Sequence, residues 1–287
     1  MNPLYAGKHW LKLARWKRRR YKAARHWGSE ALQKTPIVLG NAMPKSGSHL
    51  IIQVLQGLTK LGPFVNPGFP PVNRSEDNSK LSEVDVLANL QRLRPGDFAY
   101  GYVHAREPYI SELTKHGRAT LFVYRDPRDV IVSHVFYATD MYKGHGMHSY
   151  YTEQLQTMEE RINAAIRGVE EPGSKLTSIQ AKYENYLCWL EEPNVLSMRF
   201  EDLILNRETA LGQIIDYLEI RGYSPIVDRR QAVNILEESI APRRSGTFRK
   251  GQPGNWQKHF TESNKVIFKE QAGDLLVTLG YEKSANW

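Results

Sequence analysis

The sequence contains a single cysteine, Cys188, among 287 residues. An internal disulfide is therefore impossible, and the cysteine count gives no sign of an oxidising compartment. The sequence also lacks an apolar run long enough to span a bilayer, and no apolar segment follows the basic N-terminus as in a signal peptide. These absences lead us to expect a cytoplasmic protein, with association at a membrane surface left open.

Acidic residues are nearly missing from the first 36 positions, which carry ten Lys or Arg and one acid, Glu30. The rest of the chain carries 29 basic and 30 acidic residues, so the formal charge of +8 arises from the N-terminal segment. A nucleic-acid-binding domain carries its basic stripe on the folded body. Because the body is balanced here, a nucleic-acid partner is not expected.

The basic segment, residues 1–35, is predicted to be a helical N-terminal extension. Between positions 9 and 32 it has no proline and interleaves its charges with Trp10, Trp16, Tyr21 and Trp27. Such a helix could bind an anionic membrane surface or an acidic partner. It could equally be a solvated extension that packs its aromatic side chains on the body. The pattern does not separate the two.

Residues 36–287 are predicted to form one domain of parallel α/β type. PIVLGNAM indicates a buried strand, and SHLIIQVLQGLTKLG has apolar residues at helical spacing. The same strand–turn–helix plan recurs around YRDPRDVIVSH, with Asp126 and Pro127 suited to begin the helix. We therefore expect a P-loop-type parallel sheet flanked by helices on both faces. Further elements are predicted at 81–93 (helix), 158–169 (helix), 174–190 (helix), 194–203 (strand), 208–220 (helix), 225–238 (helix) and 261–279 (helix).

The Gly-Lys-Ser/Thr order of a nucleotide-triphosphate-binding loop is missing from the first turn, which reads PKSGS. Backbone N–H groups and the helix dipole favour an anion at such a turn. A lysine adds charge, serines add donors, and a glycine permits close approach. The turn predicts a cradle for a phosphate or sulfate group, whereas the alternative is a helix cap with an incidental lysine. Its residues are Lys45, Ser46, Gly47 and Ser48.

The second turn places Arg125 at a strand end and Ser133 eight residues later in the following helix. An arginine and a hydroxyl at the carboxyl edge of a parallel sheet suit a second phosphate group. Arg125 could instead pair with Asp126 or Asp129.

A third cationic loop, RKGQPGNW, contains Arg249, Lys250 and Gly251. Three cationic loops on a body without net positive charge indicate a small ligand with more than one anionic group. HGMH has helix-like spacing, but no second cysteine or clear ligand pair joins its histidines, so no metal site is expected.

In this order, PKSGS, RDPRDVIVSH and RKGQPGNWQKHFT resemble the three signature segments of the sulfotransferases that use 3′-phosphoadenosine 5′-phosphosulfate (PAPS). The resemblance is to the cytosolic type and its bacterial relatives, and it runs from about Ile37 to Tyr281. It implies transfer of a sulfuryl group from PAPS, with 3′-phosphoadenosine 5′-phosphate (PAP) as the product and no metal required.

The resemblance also implies roles for individual residues. It assigns the 5′-phosphosulfate to the first turn, the 3′-phosphate to the second, and a closing loop on that phosphate to the third. Phe200 falls where relatives often have a tyrosine near the adenine. The implied nucleotide-binding residues are Lys45, Ser46, Gly47, Ser48, His49, Arg125, Ser133, Phe200, Arg249, Lys250 and Gly251.

His104, in YVHARE, matches the family's general base, although Tyr102 stands where the family has a lysine. A histidine at a strand end is suited to deprotonating a hydroxyl near neutral pH. The implied mechanism is an in-line displacement in which His104 takes the acceptor proton and Lys45 stabilises the leaving phosphate. Ser133 holds Lys45 until the acceptor arrives.

The acceptor is expected to be a small hydroxylated or amine-bearing molecule, such as a specialised metabolite or a lipid. The segments 63–80, 141–151 and 241–248 are predicted to line its site. Two other functions stay open at this point. One is a P-loop small-molecule kinase that uses ATP and Mg²⁺, and the other is a membrane- or nucleic-acid-binding protein with a decayed nucleotide site.

Overall fold

The structure, a computed structural model, describes residues 3–241 and 251–287, without the side chains of residues 3–9. Arg249 and Lys250, both predicted to bind a phosphate, lie outside the described residues. The chain divides into two compact units. The first contains the described residues of Met1–Tyr124 and Trp189–Arg244, and the second those of Arg125–Cys188 and Ser245–Trp287.

A four-stranded parallel sheet forms the centre of the first unit, in the order β2-β1-β3-β6. Five of the six residues of β1 are buried, as is typical of a central parallel strand covered on both faces. Side chains at the carboxyl ends of parallel strands meet at one edge, so the topology determines where a site can form. The strands, numbered along the whole chain, are β1 (Ile37–Ala42), β2 (Phe98–Gly101), β3 (Arg118–Tyr124) and β6 (Val195–Arg199).

Helix α3 packs directly on β1 in this unit. A side-chain carbon at Gly40 of β1 would lie 2.8 Å from Leu55 Cδ1, so the missing side chain permits the close approach. Helix α11 packs in turn on α3, and α10 contacts the sheet. The helices of this unit are α1 (Pro3–Trp27), α2 (Ser29–Lys34), α3 (Ser48–Leu61), α4 (Glu83–Gln91), α5 (Tyr109–Leu113), α9 (Phe200–Leu205), α10 (Arg207–Ile220) and α11 (Arg229–Ser239).

The second unit is mostly helical, with a short antiparallel hairpin of β4 (Val169–Glu171) and β5 (Ser174–Leu176). It also contains two single π-helical turns, Tyr137–Met141 and Tyr150–Gln154. The helices are α6 (Pro127–Phe136), α7 (Met158–Arg167), α8 (Ile179–Glu191, which ends in the first unit), α12 (Glu262–Ala272) and α13 (Leu275–Thr278), with a 3₁₀ turn at Asn255–Lys258.

The parallel α/β fold is confirmed, but several predicted boundaries are wrong, among them that of the helix predicted at 225–238, which begins at Arg229. The helix predicted from Ser174 begins only at Ile179, because Pro172 and Gly173 make a two-residue hairpin turn with Gly173 at φ 80°. The core strand predicted to Leu203 ends at Arg199, and α9 follows at once. The last predicted helix is interrupted at Gly273, where φ is 45°.

Helix α1 packs on the first unit through Trp16, whose side chain is 4% exposed. Trp16 Nε1 donates to Asp97 Oδ1 at 3.0 Å, and Arg20 Nη1 reaches the same oxygen at 2.8 Å. Trp10 and Tyr21 are 68% and 67% exposed. The structure therefore shows that Trp16 packs on the body of the first unit.

Within the described residues, no helix is both long enough and apolar enough to cross a membrane.

Candidate functional site

The turn between β1 and α3 has an unusual backbone. Lys45 is at φ 71° and Gly47 at φ 90°, both in the left-handed region that few residues other than glycine adopt. The Gly47 carbonyl accepts from the N–H groups of Leu50 and Ile51. Backbone strain of this kind persists only where the surrounding structure holds the loop in one conformation, and it is concentrated at functional sites.

Ser46 lies inside this turn with its side chain fully buried. Its hydroxyl has no hydrogen-bond partner in the described part of the chain. A buried hydroxyl without a partner loses about 1–3 kcal/mol of solvation, so such groups call for an explanation. An anionic oxygen bound in the turn would supply the missing acceptor.

Phe200 lies against the turn. A side-chain carbon at Gly47 would lie 2.4 Å from Phe200 Cδ2, so only glycine fits. Phe200 is the first residue of α9 and is 5% exposed. The sequence predicted this residue near the nucleotide; its ring supports the turn that is predicted to hold the phosphosulfate.

The first turn of α3 carries two further polar groups. His49 is solvent-exposed, but desolvation by neighbouring protein atoms, followed by the nearby charge of Lys45, lowers its pKa. The imidazole is therefore neutral near pH 7 and adds no second positive charge beside the lysine. Tyr102 Oη donates to Ser48 Oγ at 3.2 Å, which links α3 to the segment that follows β2.

His104 stands three residues beyond the end of β2, and a buried asparagine fixes the residue before it. Asn41, fully buried near the end of β1, donates through Nδ2 to the Val103 carbonyl at 2.9 Å. Its Oδ1 accepts from the Val103 N–H at 2.8 Å. Trp189 Nε1 donates to the same carbonyl at 2.9 Å. The strand that leads to Lys45 therefore also holds the backbone beside His104.

A second asparagine repeats this pattern one residue earlier. Asn73 Nδ2 donates to the Tyr102 carbonyl at 2.7 Å, and its Oδ1 accepts from the Tyr102 N–H at 3.1 Å. The two asparagines act as single-residue strand partners that prolong β2 toward His104. The sequence analysis missed both, because an isolated asparagine is ordinarily a turn residue.

The electrostatic surroundings of His104 are positive. The side chain is solvent-exposed, but neighbouring protein atoms still lower its pKa by desolvation. The charges of Arg106, Lys80 and Arg74 lower it further. The ring is therefore neutral at pH 7 and able to accept a proton.

In the second unit, Arg125 follows immediately after β3. As predicted, Asp126 caps α6 by accepting from the Arg128 N–H at 2.9 Å, and Pro127 begins the helix. Tyr183 Oη donates to the Arg125 carbonyl at 2.6 Å. Arg125 Nη2 lies 3.4 Å from Asp129 Oδ2, so the alternative of an ion pair with Asp129 is also realised.

Asp129 connects the second and third motifs, a role that the sequence analysis did not assign. It is 1% exposed and accepts from the Gly254 N–H and the Trp256 N–H, both at 2.9 Å. Gly251, the predicted binding residue within the described part of that loop, is at φ 59°. Asp129 thus ties Arg125 to the segment that follows Gly251.

Ser133 is the seventh residue of α6 and is half-buried. Positions four apart share a helix face, so Ser133 lies on the same face of α6 as Asp129, the partner of Arg125.

Within the described ranges, no group of three or more His, Cys, Asp or Glu side chains is arranged to hold a metal ion.

Comparison with known proteins identifies the family. The model of the sulfotransferase domain matches residues 38–276. The chain therefore belongs to the sulfotransferase family, whose three motifs the sequence analysis recognised. Its class is that of the PAPS-dependent sulfotransferases, enzymes that transfer a sulfuryl group. This assignment removes the kinase alternative.

Solved structures share the fold. Mouse sulfotransferase SULT7A1, crystallised with PAP, is 15% identical with a TM-score of 0.61, covering 90% of this chain and 93% of that one. Retinol dehydratase with androsterone and inactive cofactor PAP is 14% identical, with a TM-score of 0.53 and coverage of 90% and 85%. Its complex with retinol and PAP is 15% identical, with a TM-score of 0.53 and coverage of 85% and 83%. No curated protein matches the sequence.

Proposed function

We propose that the chain transfers a sulfuryl group from PAPS to a hydroxyl or amine of a small organic acceptor. The observation that carries the proposal is the β1–α3 turn. There the buried hydroxyl of Ser46 has no hydrogen-bond partner within the described residues, and the backbones of Lys45 and Gly47 on either side are in the left-handed region. These residues fit the phosphosulfate group of PAPS. Lys45, Ser46, Gly47, Ser48 and His49 would hold it at the N-terminus of α3.

PAPS supplies the sulfuryl group, and its 5′-phosphate departs as part of PAP. A bond forms between the acceptor atom and sulfur, and the bond between sulfur and the phosphate oxygen breaks. The protein stabilises the negative charge that develops on that oxygen. Lys45 and the N–H groups of the turn are the preorganised donors for this task.

His104 is the proposed general base. Its lowered pKa keeps the ring neutral, because desolvation and the charges of the surrounding arginines and lysine disfavour the imidazolium. It takes the proton of the acceptor hydroxyl or amine while the new bond forms. Asn41 positions it by fixing the backbone of Val103.

The 3′-phosphate is assigned to Arg125, Ser133 and the RKG loop of Arg249, Lys250 and Gly251. Asp129 supports this assignment because it holds Arg125 and the backbone just after Gly251. Phe200 contributes by supporting the turn. The acceptor class is a small molecule; no basic groove for a long anionic polymer is expected on a charge-balanced body.

Thermal unfolding with PAP, ADP and ATP–Mg²⁺ tests the proposal. At about a hundred times its Kd, a ligand adds about 2.7 kcal/mol to stability. We expect PAP alone to raise Tm, and Arg125→Ala to abolish the shift. The control Arg230→Ala, an exposed arginine on α11, should keep it. A shift with ADP equal to that with PAP would contradict the 3′-phosphate assignment, and no shift at all would favour the decayed nucleotide site.

A further inference from the structure

The first unit contains a cavity of about 220 Å³ between α3, β2, α4 and the segment that follows α3. None of its lining residues was assigned to the nucleotide. Ile52 and Gln56 of α3 line it one and two helical turns beyond Ser48. The cavity therefore begins close to the phosphate turn but extends away from it. Its other lining residues are Asn66, Pro67, Gly68, Phe69, Pro70, Val72, Asn89, Arg92, Leu93, Phe98, Ala99 and Tyr100.

Residues 66–70 form one wall of the cavity, and helix α1 packs against this wall on the side away from the cavity. The rings of Trp16 and Phe69 meet edge to face at 5.4 Å. Arg19 Nη1 donates to the Asn66 carbonyl at 2.8 Å, and Asn66 Oδ1 accepts from the Gly68 N–H at the same distance. The N-terminal helix therefore supports one wall of this cavity.

Arg92 is the one charged side chain that lines the cavity. Its guanidinium lies 3.9 Å from the centre of the Phe69 ring. Its Nε is buried without a hydrogen-bond partner, and no carboxylate in the described ranges pairs with the group. Arg92 is half-buried, and a partly desolvated cation without a counter-ion costs free energy that a bound anion would offset.

The remaining lining supplies an apolar body with a few donors. Val72, Leu93 and Phe98 are buried apolar side chains. Burial raises the pKa of Tyr100, so its hydroxyl stays protonated and can donate. Gln56 adds an amide. One cation, neutral donors and apolar walls together match a compact ring that carries one anionic group.

We propose that this cavity binds a small ring-containing anion, a carboxylate or an organic sulfate, through Arg92. Two sources share this chemistry. One is an anionic acceptor, and the other is an organic sulfate of the kind that the enzyme releases. The inference concerns equilibrium binding without donor, so it stands or falls separately from the proposed transfer reaction.

Calorimetric titration of the full chain tests the site. The probes are 4-hydroxybenzoate, phenyl sulfate and the neutral isostere 4-hydroxybenzamide. We expect at least one of the two anions to bind, and at least tenfold more tightly than the amide. Arg92→Met, which keeps the apolar stem, should remove this preference, while Arg94→Met, an exposed arginine two residues away, should keep it.

Three results would overturn the proposal: no binding of either anion, equal binding of anion and amide, or unchanged anion binding by Arg92→Met. A PAP-induced Tm shift in the same samples reports folding and the nucleotide site independently. Incubation with PAPS then separates the sources. Sulfation of 4-hydroxybenzoate identifies an anionic acceptor, whereas binding of phenyl sulfate without sulfation of the benzoate identifies a site for the sulfated product.

Discussion

In the proposed site, the conformation and protonation of single residues depend on their neighbours. Lys45 and Gly47 shape the turn through left-handed backbone, and Phe200 fills the space where a larger residue than Gly47 would need to go. For His104, desolvation by neighbouring atoms, followed by the charges of Arg106, Lys80 and Arg74, lowers the pKa.

Gly47→Ala should destabilise the protein more than Gly117→Ala. Both glycines have positive φ, but an added carbon at Gly117 meets nothing within 4 Å. Left-handed strain of about 1–2 kcal/mol is common to both. Overlap with Phe200 should add about 1–3 kcal/mol at Gly47. Chemical denaturation measures the difference; equal losses would show that the Phe200 contact is easily relieved.

The pH profile of kcat/KM should show a single acidic limb that belongs to His104. Because the folded-state pKa is lowered, the neutral base persists into mildly acidic solution, and activity should reach half its maximum below pH 6.5. His104→Ala should lose about 10²–10⁴-fold in rate, while the exposed His116→Ala should not change it. A midpoint above pH 6.5, or an active His104→Ala, would exclude this base.

At the scale of elements, the side chains of two asparagines prolong β2 beyond its last residue. Asn41 and Asn73 each bond both backbone groups of one residue, Val103 and Tyr102. A strand partner would make the same bonds. The position of the proposed base therefore depends on two amides rather than on a longer sheet.

Asn41→Ala should lower kcat with little change in PAP affinity. It removes the bonds from Asn41 to the N–H and the carbonyl of Val103, and leaving the buried N–H unpaired costs about 1–3 kcal/mol. The Val103 carbonyl keeps its bond from Trp189, which limits the loss. The exposed Asn185→Ala on α8 is the control. If kcat falls no more than for this control, Asn41 has only a structural role.

At the scale of the whole molecule, the N-terminal helix is part of the folded first unit. Trp16, Arg19 and Arg20 contact residues 66–69 and Asp97. The sequence predicted the helix but could not choose between docking and packing, because both need interleaved aromatic residues. Trp16 and Trp10 are the same residue type on one helix, yet Trp16 is 4% exposed and Trp10 is 68% exposed.

Trp16→Ala should cost about 3–5 kcal/mol of stability, as expected for a large buried side chain. Trp10→Ala should stay within about 0.5 kcal/mol, as exposed positions usually do. Urea denaturation of the two variants compares them directly. Equal effects would mean that α1 does not depend on its buried tryptophan.

The parallel fold could be predicted because strands, turns and helix starts have strong local signals, and the family could be recognised from three contiguous sequence segments. The roles of Asn41, Asn73 and Asp129 could not, since each depends on a backbone group far away in the sequence. The β4–β5 hairpin was missed for a different reason. Its strands have three residues each, too few to show an alternating pattern beside the helical pattern that follows.

Transfer of radiolabelled sulfuryl from PAPS to a panel of phenols, alcohols and amines tests the central claim most directly. We predict a labelled organic sulfate with the unmodified protein and a loss of at least about a hundredfold with His104→Ala. Label that remains in PAPS or appears only as inorganic sulfate, with a protein that binds PAP, would contradict transfer to a small acceptor of these classes.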